Sequence, residues 1–190
     1  MAKMLKIIDG NFIEYEILKL VDEYDPILHT PTKELSFTDY DENSKPSYVA
    51  FSIAETLSKR DGALGLSANQ CGLPYRMFAM NSGDKIWMFI NPKIVWASET
   101  LSEYNEGCLS YPGLFLKPKR ASSVEIEFQE LGGNVMRQKF DGLTATIVQH
   151  EIDHLDGISF IKKVSPIKLA MAKDRVKSNI RKFKKMRKTG

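Results

Sequence analysis

Hydrophobic positions recur along this chain with two different periods, and the change of period marks out its elements. Val49, Ile53 and Leu57 stand at i, i+4 and i+8 with Gly62 beyond them, which predicts a helix over about 47–60 that buries one face. Short runs rich in aromatic and branched residues follow: Tyr75 to Met80, Ile86 to Ile90, Lys93 to Ala97, Ser123 to Glu130 and Val135 to Phe140. These have strand length, and Val124, Ile126 and Phe128 alternate with polar neighbours. Asn81 to Asp84, and Leu131-Gly132-Gly133-Asn134, fall between runs as hairpin turns, so the sheet is expected to be antiparallel. Helical spacing then returns. Asp141 reads as the N-cap of a helix over about 142–155, with Gly157 just past its end, and Leu143, Thr146, Ile147, His150 and His154 share one face of it. Ser165-Pro166 opens a last helix whose stripe of Leu169, Ala172, Val176, Ile180 and Phe183 is backed by lysines, an amphipathic pattern expected to dock on the body. Residues 22–47 carry three prolines among polar residues and read as a segment looping over the surface.

With 190 residues, 43% of them apolar, the chain suffices for one core. One domain is expected, with a body over 1–165 and the basic helix and tail over 166–190 as part of it. No uninterrupted apolar run exceeds the five residues Ile86 to Ile90, and no basic-then-apolar leader is visible, so a cytoplasmic protein without a membrane span is expected. Two cysteines, Cys71 and Cys108, are too few for a disulfide scaffold; each reads as buried, reactive or metal-bound. The net charge of +3 hides an asymmetry: residues 162–190 hold 12 Lys and Arg against the single acid Asp174. Such a tail suits a polyanionic partner such as nucleic acid or the ribosome, and equally a solvated helix face.

His150-Glu151-Ile152-Asp153-His154 is an HExxH match inside a predicted helix. Two histidines four apart stand one above the other and can share a metal, while the Glu between them, about 100° round the helix, can reach a water on that metal. A third ligand is needed. In metzincin peptidases it is a His six positions after the second ligand, but here Phe160 stands there. Cys108, in the turn-like Glu106-Gly107-Cys108-Leu109-Ser110, supplies a thiolate suited to zinc or ferrous iron and is taken as the third ligand. A Cys-His-His site with one position open to water, beside a glutamate, is an arrangement for hydrolysis at a carbonyl.

The segments GALGLSANQCG (62–72), EGCLS (106–110) and QHEIDHLDG (149–157) occur in the order found in the peptide deformylases, which the chain resembles over roughly residues 20–165, and the basic helix beyond also looks like that family's. The resemblance implies one divalent metal ion on Cys108, His150 and His154, usually Fe2+, with Zn2+, Ni2+ or Co2+ able to replace it. It implies that Glu151 is the general base, and that the Gln70 amide and the backbone N–H of Leu109 stabilise the oxyanion formed at the formyl carbon. Gly65 matches a glycine that admits the substrate backbone closely. The implied substrate is an N-formylmethionyl peptide on a nascent chain, the product formate, and the C-terminal helix is implicated in ribosome contact. The chain departs from the usual first signature at two places: Ala63 replaces its first glycine and Ser67 its first alanine.

The residues themselves add detail. Leu143, Thr146 and Ile147 are expected to line a pocket that suits an unbranched thioether side chain, and an extended peptide is expected to pair with backbone near Gly107 and Gly65. A metal-bound imidazole usually gives its other N–H to a carboxylate or carbonyl, so Glu106 and Asp153, with Arg120 as counter-charge, are expected to orient the site. Cys71 and His29 are given no role. The fold class expected is α+β: antiparallel β-sheets packed around a central HExxH helix, with a basic amphipathic C-terminal helix. The expected protein is a monomer with no membrane partner, cytoplasmic unless its source is an organelle or a virus. An HExxH metallopeptidase or other amidase is the alternative activity.

Overall fold

The computed structural model of the chain describes residues 3–8, 11–41 and 45–189. Strands β1 (Met4–Ile8) and β2 (Asn11–Tyr15) form an antiparallel hairpin that packs on helix α1 (Pro46–Ser58). Strand β3 (Gly65–Ser67) follows, then β4 (Met77–Asn81) and β5 (Ile86–Ala97). Three short strands and one longer one surround the site: β6 (Leu101–Glu103), β7 (Glu106–Cys108), β8 (Tyr111–Leu116) and β9 (Lys119–Ala121). The chain closes with β10 (Ser123–Gln129), β11 (Val135–Asp141), helix α2 (Gly142–Leu155) and helix α3 (Pro166–Thr189).

The centre is a five-stranded antiparallel sheet in the order β11-β10-β5-β4-β3, covered by a helix on each face. Alternation along β4 assigns the faces. Met77 and Ala79 point toward Val49, Ile53 and Leu57 of α1, whereas Phe78 and Met80 point toward Ala145, Val148 and Ile152 of α2. Period-2 strands with both faces apolar are what a sheet clamped between two amphipathic helices requires. A mixed α+β architecture results, with the HExxH helix between the sheet and the β7–β8 hairpin.

The two runs expected as separate strands, Ile86 to Ile90 and Lys93 to Ala97, are one strand, β5. Asn91-Pro92 reads as a break, and Asn91 does take a φ of +51°, but its side chain is bonded to both backbone groups of Leu35 and to Gln129, which hold the bend inside the sheet. The bend coincides with register irregularities in the β5–β10 pairing. Asp141 sits at the N-cap position of α2, yet its carboxylate makes no cap bond and accepts from the Ser123 hydroxyl, tying the end of β11 to the start of β10. Strand pairing outcompetes the cap.

The looping segment over 22–47, leaving aside residues 42–44, which lie outside the described ones, straps the end of α2. Thr32 N–H and Oγ1 both donate to the Leu155 carbonyl, and Leu28 is buried. Gly157, at φ +71°, lies under this strap, where a Cβ would collide with the His29 backbone. Helix α3 docks through Leu169, Ala172 and Val176 on Tyr111, Leu114 and Phe160. Ile180 is half exposed, so the apolar stripe is buried over the first turns only; the Phe183 side chain lies outside the described residues.

Candidate active site

Because α2 is covered on both sides, its polar residues are buried with its apolar ones. His150, Glu151 and His154 are all less than 10% exposed, Glu151 against strand β3 and His150 toward Glu106 of β7. The β7–β8 hairpin brings Cys108 against them. One donor atom from each of Cys108, His150 and His154 lies within 4.8 Å of the others, and Cys108 Sγ is 3.2 Å from His154 Nε2. Half-buried Cys108 gives the cluster its opening to the cavity.

The donor set fits a late divalent ion, and the charges around it say how. Burial and the neighbouring charges of His150 and Arg120 hold His154 well below the ordinary imidazole range, so it is neutral at pH 7 and offers a lone pair. For His150, burial also opposes the charge, but hydrogen bonding with Cys108 and Glu106 outweighs it and raises the group to about 10. His150 Nδ1 pairs with Glu106 Oε2 at 2.8 Å, which leaves its other ring nitrogen to serve as a ligand atom. His154 Nδ1 is buried without a hydrogen-bond partner, whereas His150 has a carboxylate behind it.

Glu106 is the hub of this support. Burial alone would raise its carboxyl, but His150 and Arg120 hold it below the usual 4.5. Arg120 gives two N–H bonds to Glu106 and a third to Asp153, at 2.7 Å, and Lys163 closes the chain on Asp153 at 3.0 Å. Asp153 therefore connects to the Cys108, His150 and His154 group through Arg120 and Glu106 and bonds neither histidine, one step further away than its expected part in orienting the site.

The other residues singled out in the sequence gather around a cavity of about 560 Å3. Its walls include Gly65, Gln70, Leu109 and Ile147, together with Glu151. Gln70 Nε2 lies 3.4 Å from Cys108 Sγ and 3.2 Å from Ser110 Oγ, while its Oε1 accepts from the Ser67 N–H. The amide is thus clamped at both ends beside the cluster. Leu143 is exposed at the cavity mouth, and Thr146 is buried with its hydroxyl donated to Gly142. Gly107 lines the cavity as well, but what excludes a side chain there is Phe115, whose ring a Cβ would strike. At Gly65 the obstacle is Glu151 itself: a Cβ would overlap its Oε1. Gly65 therefore makes room for the Glu151 carboxylate.

Burial raises the Glu151 carboxyl above its usual value, against the opposing effects of His150 and the Ser67 hydroxyl. Ser67, noted in the sequence only as a departure, has its Oγ 2.5 Å from Glu151 Oε2. Ser110 and Phe115 are likewise functional neighbours that the residue-type argument did not mark; Ser110 was in view inside EGCLS, whereas nothing in the spacing pointed to Phe115. Ala63 does not take positive φ; Gly62 does, at +72°, so the glycine-to-alanine departure costs the backbone nothing. Cys71 is buried in the core, and its thiol is pushed up to about 12 by burial. His29 is exposed and bonded to the Glu23 carbonyl.

Comparison with known proteins bears on the same residues. The family model described as Polypeptide deformylase matches residues 17–170. A peptide deformylase of Rhodopseudomonas palustris (strain BisB18) is 39% identical over 149 residues, covering 75% of this chain and 81% of the relative. Among solved structures, a peptide deformylase from Legionella pneumophila superposes with a TM-score of 0.75 at 28% identity, covering 92% of this chain and 99% of that one. The peptide deformylase from Thermotoga maritima gives 0.72 at 31% identity, covering 80% and 99%. Sequence and fold thus agree over the region that holds the cluster and its cavity: the chain belongs to the polypeptide deformylase family, metal-dependent hydrolases that remove the formyl group from nascent peptides.

Proposed function

We propose that the chain hydrolyses N-formylmethionyl peptides to formate and the free amine, using Cys108, His150 and His154 to hold a divalent ion, ferrous iron by preference. The observation that carries this is the convergence of three donor atoms within 4.8 Å, with Cys108 and His150 in the wall of a cavity that Glu151 and Gln70 also line. Cys108, His150 and His154 would hold the ion, which would supply Lewis acidity to the formyl carbonyl and lower the pKa of a bound water. The chain's own groups do the rest. Glu151 accepts a proton from the attacking water as the C–O bond forms, and delivers it to the amine nitrogen as the C–N bond breaks. The Gln70 amide and the Leu109 N–H donate to the developing oxyanion. Gly65 and Gly107 leave backbone open to an extended peptide, and Leu143, Thr146 and Ile147 form a mostly apolar wall for its methionine. Glu106, with Arg120 and Asp153 behind it, fixes the His150 ring.

A peptidase reading loses support from Phe160, which stands at the spacing of a third histidine ligand and instead packs its ring 5.4 Å from that of His150. Formate release from a formyl-Met peptide by protein prepared without oxygen and loaded with ferrous iron, beside Glu151→Ala, tests the proposal. Release by the wild type alone supports it; no release, or equal release by both, contradicts it. Equal activity after aerobic preparation counts against iron, because oxidation of Cys108 or of the metal spoils such a site.

Residues 1–165 are read as the catalytic part and 166–190 as an appended basic helix of the same domain. No described helix is long and apolar enough to cross a membrane. Lys173, Arg175, Lys177, Arg181 and Lys182 are exposed on α3, which supports electrostatic contact with the ribosome. Salt-sensitive co-sedimentation with ribosomes, lost on Lys-to-Glu exchange at Lys177 and Lys182, is expected; no binding at low salt contradicts it. A cytoplasmic monomer is the state in which this reading has the chain work, and a monomeric mass by light scattering is the expected result.

A further inference from the structure

Ser67 ends β3 and precedes the short turn that carries Gln70, with no exposed surface at all. Its hydroxyl lies 2.5 Å from Glu151 Oε2 and 3.1 Å from the Glu151 carbonyl oxygen. A hydroxyl has one hydrogen, and the nearer, carboxylate acceptor takes it. On the other side of the carboxylate, the missing side chain of Gly65 leaves the space that Oε1 occupies beside the cavity. The two oxygens of Glu151 are therefore not equivalent: one is tied back to β3, and the other stands in the glycine gap. A glutamate side chain has three rotatable bonds, and freezing them costs entropy unless a partner holds them. The resemblance gives position 67 no role, since its first signature usually reads alanine there.

We propose that Ser67 is a positioning residue for the deformylation reaction, holding Glu151 in one rotamer with Oε2 tied to its hydroxyl and Oε1 presented to the reacting water. This rests on the deformylase reading and deepens it. Alanine is smaller than serine and fits the buried position, so Ser67→Ala removes the tie without crowding β3. With metal-loaded protein and a formyl-Met peptide, Ser67→Ala is expected to lower kcat about fivefold while KM and metal content stay unchanged. Ser67→Cys, a weaker donor of similar size, is expected to fall between. A crystal structure of the zinc-loaded Ser67→Ala protein is expected to show Glu151 spread over more than one rotamer. An unchanged kcat overturns the proposal, as does a loss of activity that tracks lost metal or a raised KM, because a purely structural role would produce that. The Glu151 rotamer is read without substrate. If the wild type releases no formate, the deformylase reading falls, and a single ordered Glu151 in Ser67→Ala then overturns the positioning role independently.

Discussion

Helices α1 and α2 perform the same packing task on opposite faces of one sheet, and they solve it with different side chains. Helix α1 buries Val49, Ile53 and Leu57, and its buried polar residues beyond the backbone are Ser52 and Thr56. Their hydroxyls accept the N–H groups of Glu16 and Leu18 from the chain entering the domain. Helix α2 buries Val148, Ile152 and Leu155 against the sheet and, in addition, His150, Glu151 and His154. A hydroxyl is satisfied by a single backbone group; a buried imidazole or carboxylate needs side-chain partners, charged ones among them. Those come from β3, β7 and β9, through Ser67, Glu106 and Arg120. Packing asks a helix for an apolar stripe, and chemistry asks for a second, costly set of positions whose partners are polar and charged side chains from three other strands.

The contrast can be broken most sharply at Glu151. Glu151→Gln keeps the volume and removes the base, and kcat for formate release is expected to fall about 1,000-fold with the fold intact by circular dichroism. Glu106→Ala comes next: it strands Arg120 and His150 in the interior, and an unfolding titration is expected to show a loss of about 3–5 kcal/mol, with metal affinity down about 10- to 100-fold by chelator competition. On α1, Ile53→Ala is expected to cost about 2–4 kcal/mol of stability through a cavity, yet to leave kcat per folded molecule and metal content unchanged. Should Ile53→Ala alter kcat as strongly as stability, the two helices are not separable in function. The smallest effect is in acid. The Glu106 carboxyl is held below its ordinary 4.5, so its contribution to stability is fully present above that value and is lost as pH falls through the lower folded value. Denaturation midpoints of the metal-free protein between pH 6 and about 3 are expected to fall less steeply for Glu106→Gln than for the wild type.

Much of this was readable from residue order because its determinants are local. The period of Val49, Ile53 and Leu57 gave α1, and Gly132-Gly133 gave the β10–β11 turn. The HExxH spacing brought two donors to one helix face because four residues are close to one turn. What escaped the reading depended on contacts between distant segments. Asn91-Pro92 looks like a strand end until Leu35 and Gln129 bond to the asparagine across 56 and 38 residues. Asp141 looks like a cap until Ser123 claims it, and Ser67 looks like a neutral replacement until α2 is laid against β3. The β1–β2 hairpin also went unread, although Asp9-Gly10 between its two five-residue runs is a two-residue hairpin signal in the sequence itself.

The claim on which the rest depends is that the polar side of α2 is a metal centre completed by Cys108. X-ray absorption at the iron edge of protein loaded anaerobically tests it most directly. One sulfur and two imidazole nitrogens are expected around the metal, with the sulfur lost in Cys108→Ser. A coordination shell of nitrogen and oxygen alone, unchanged by that substitution, would contradict it.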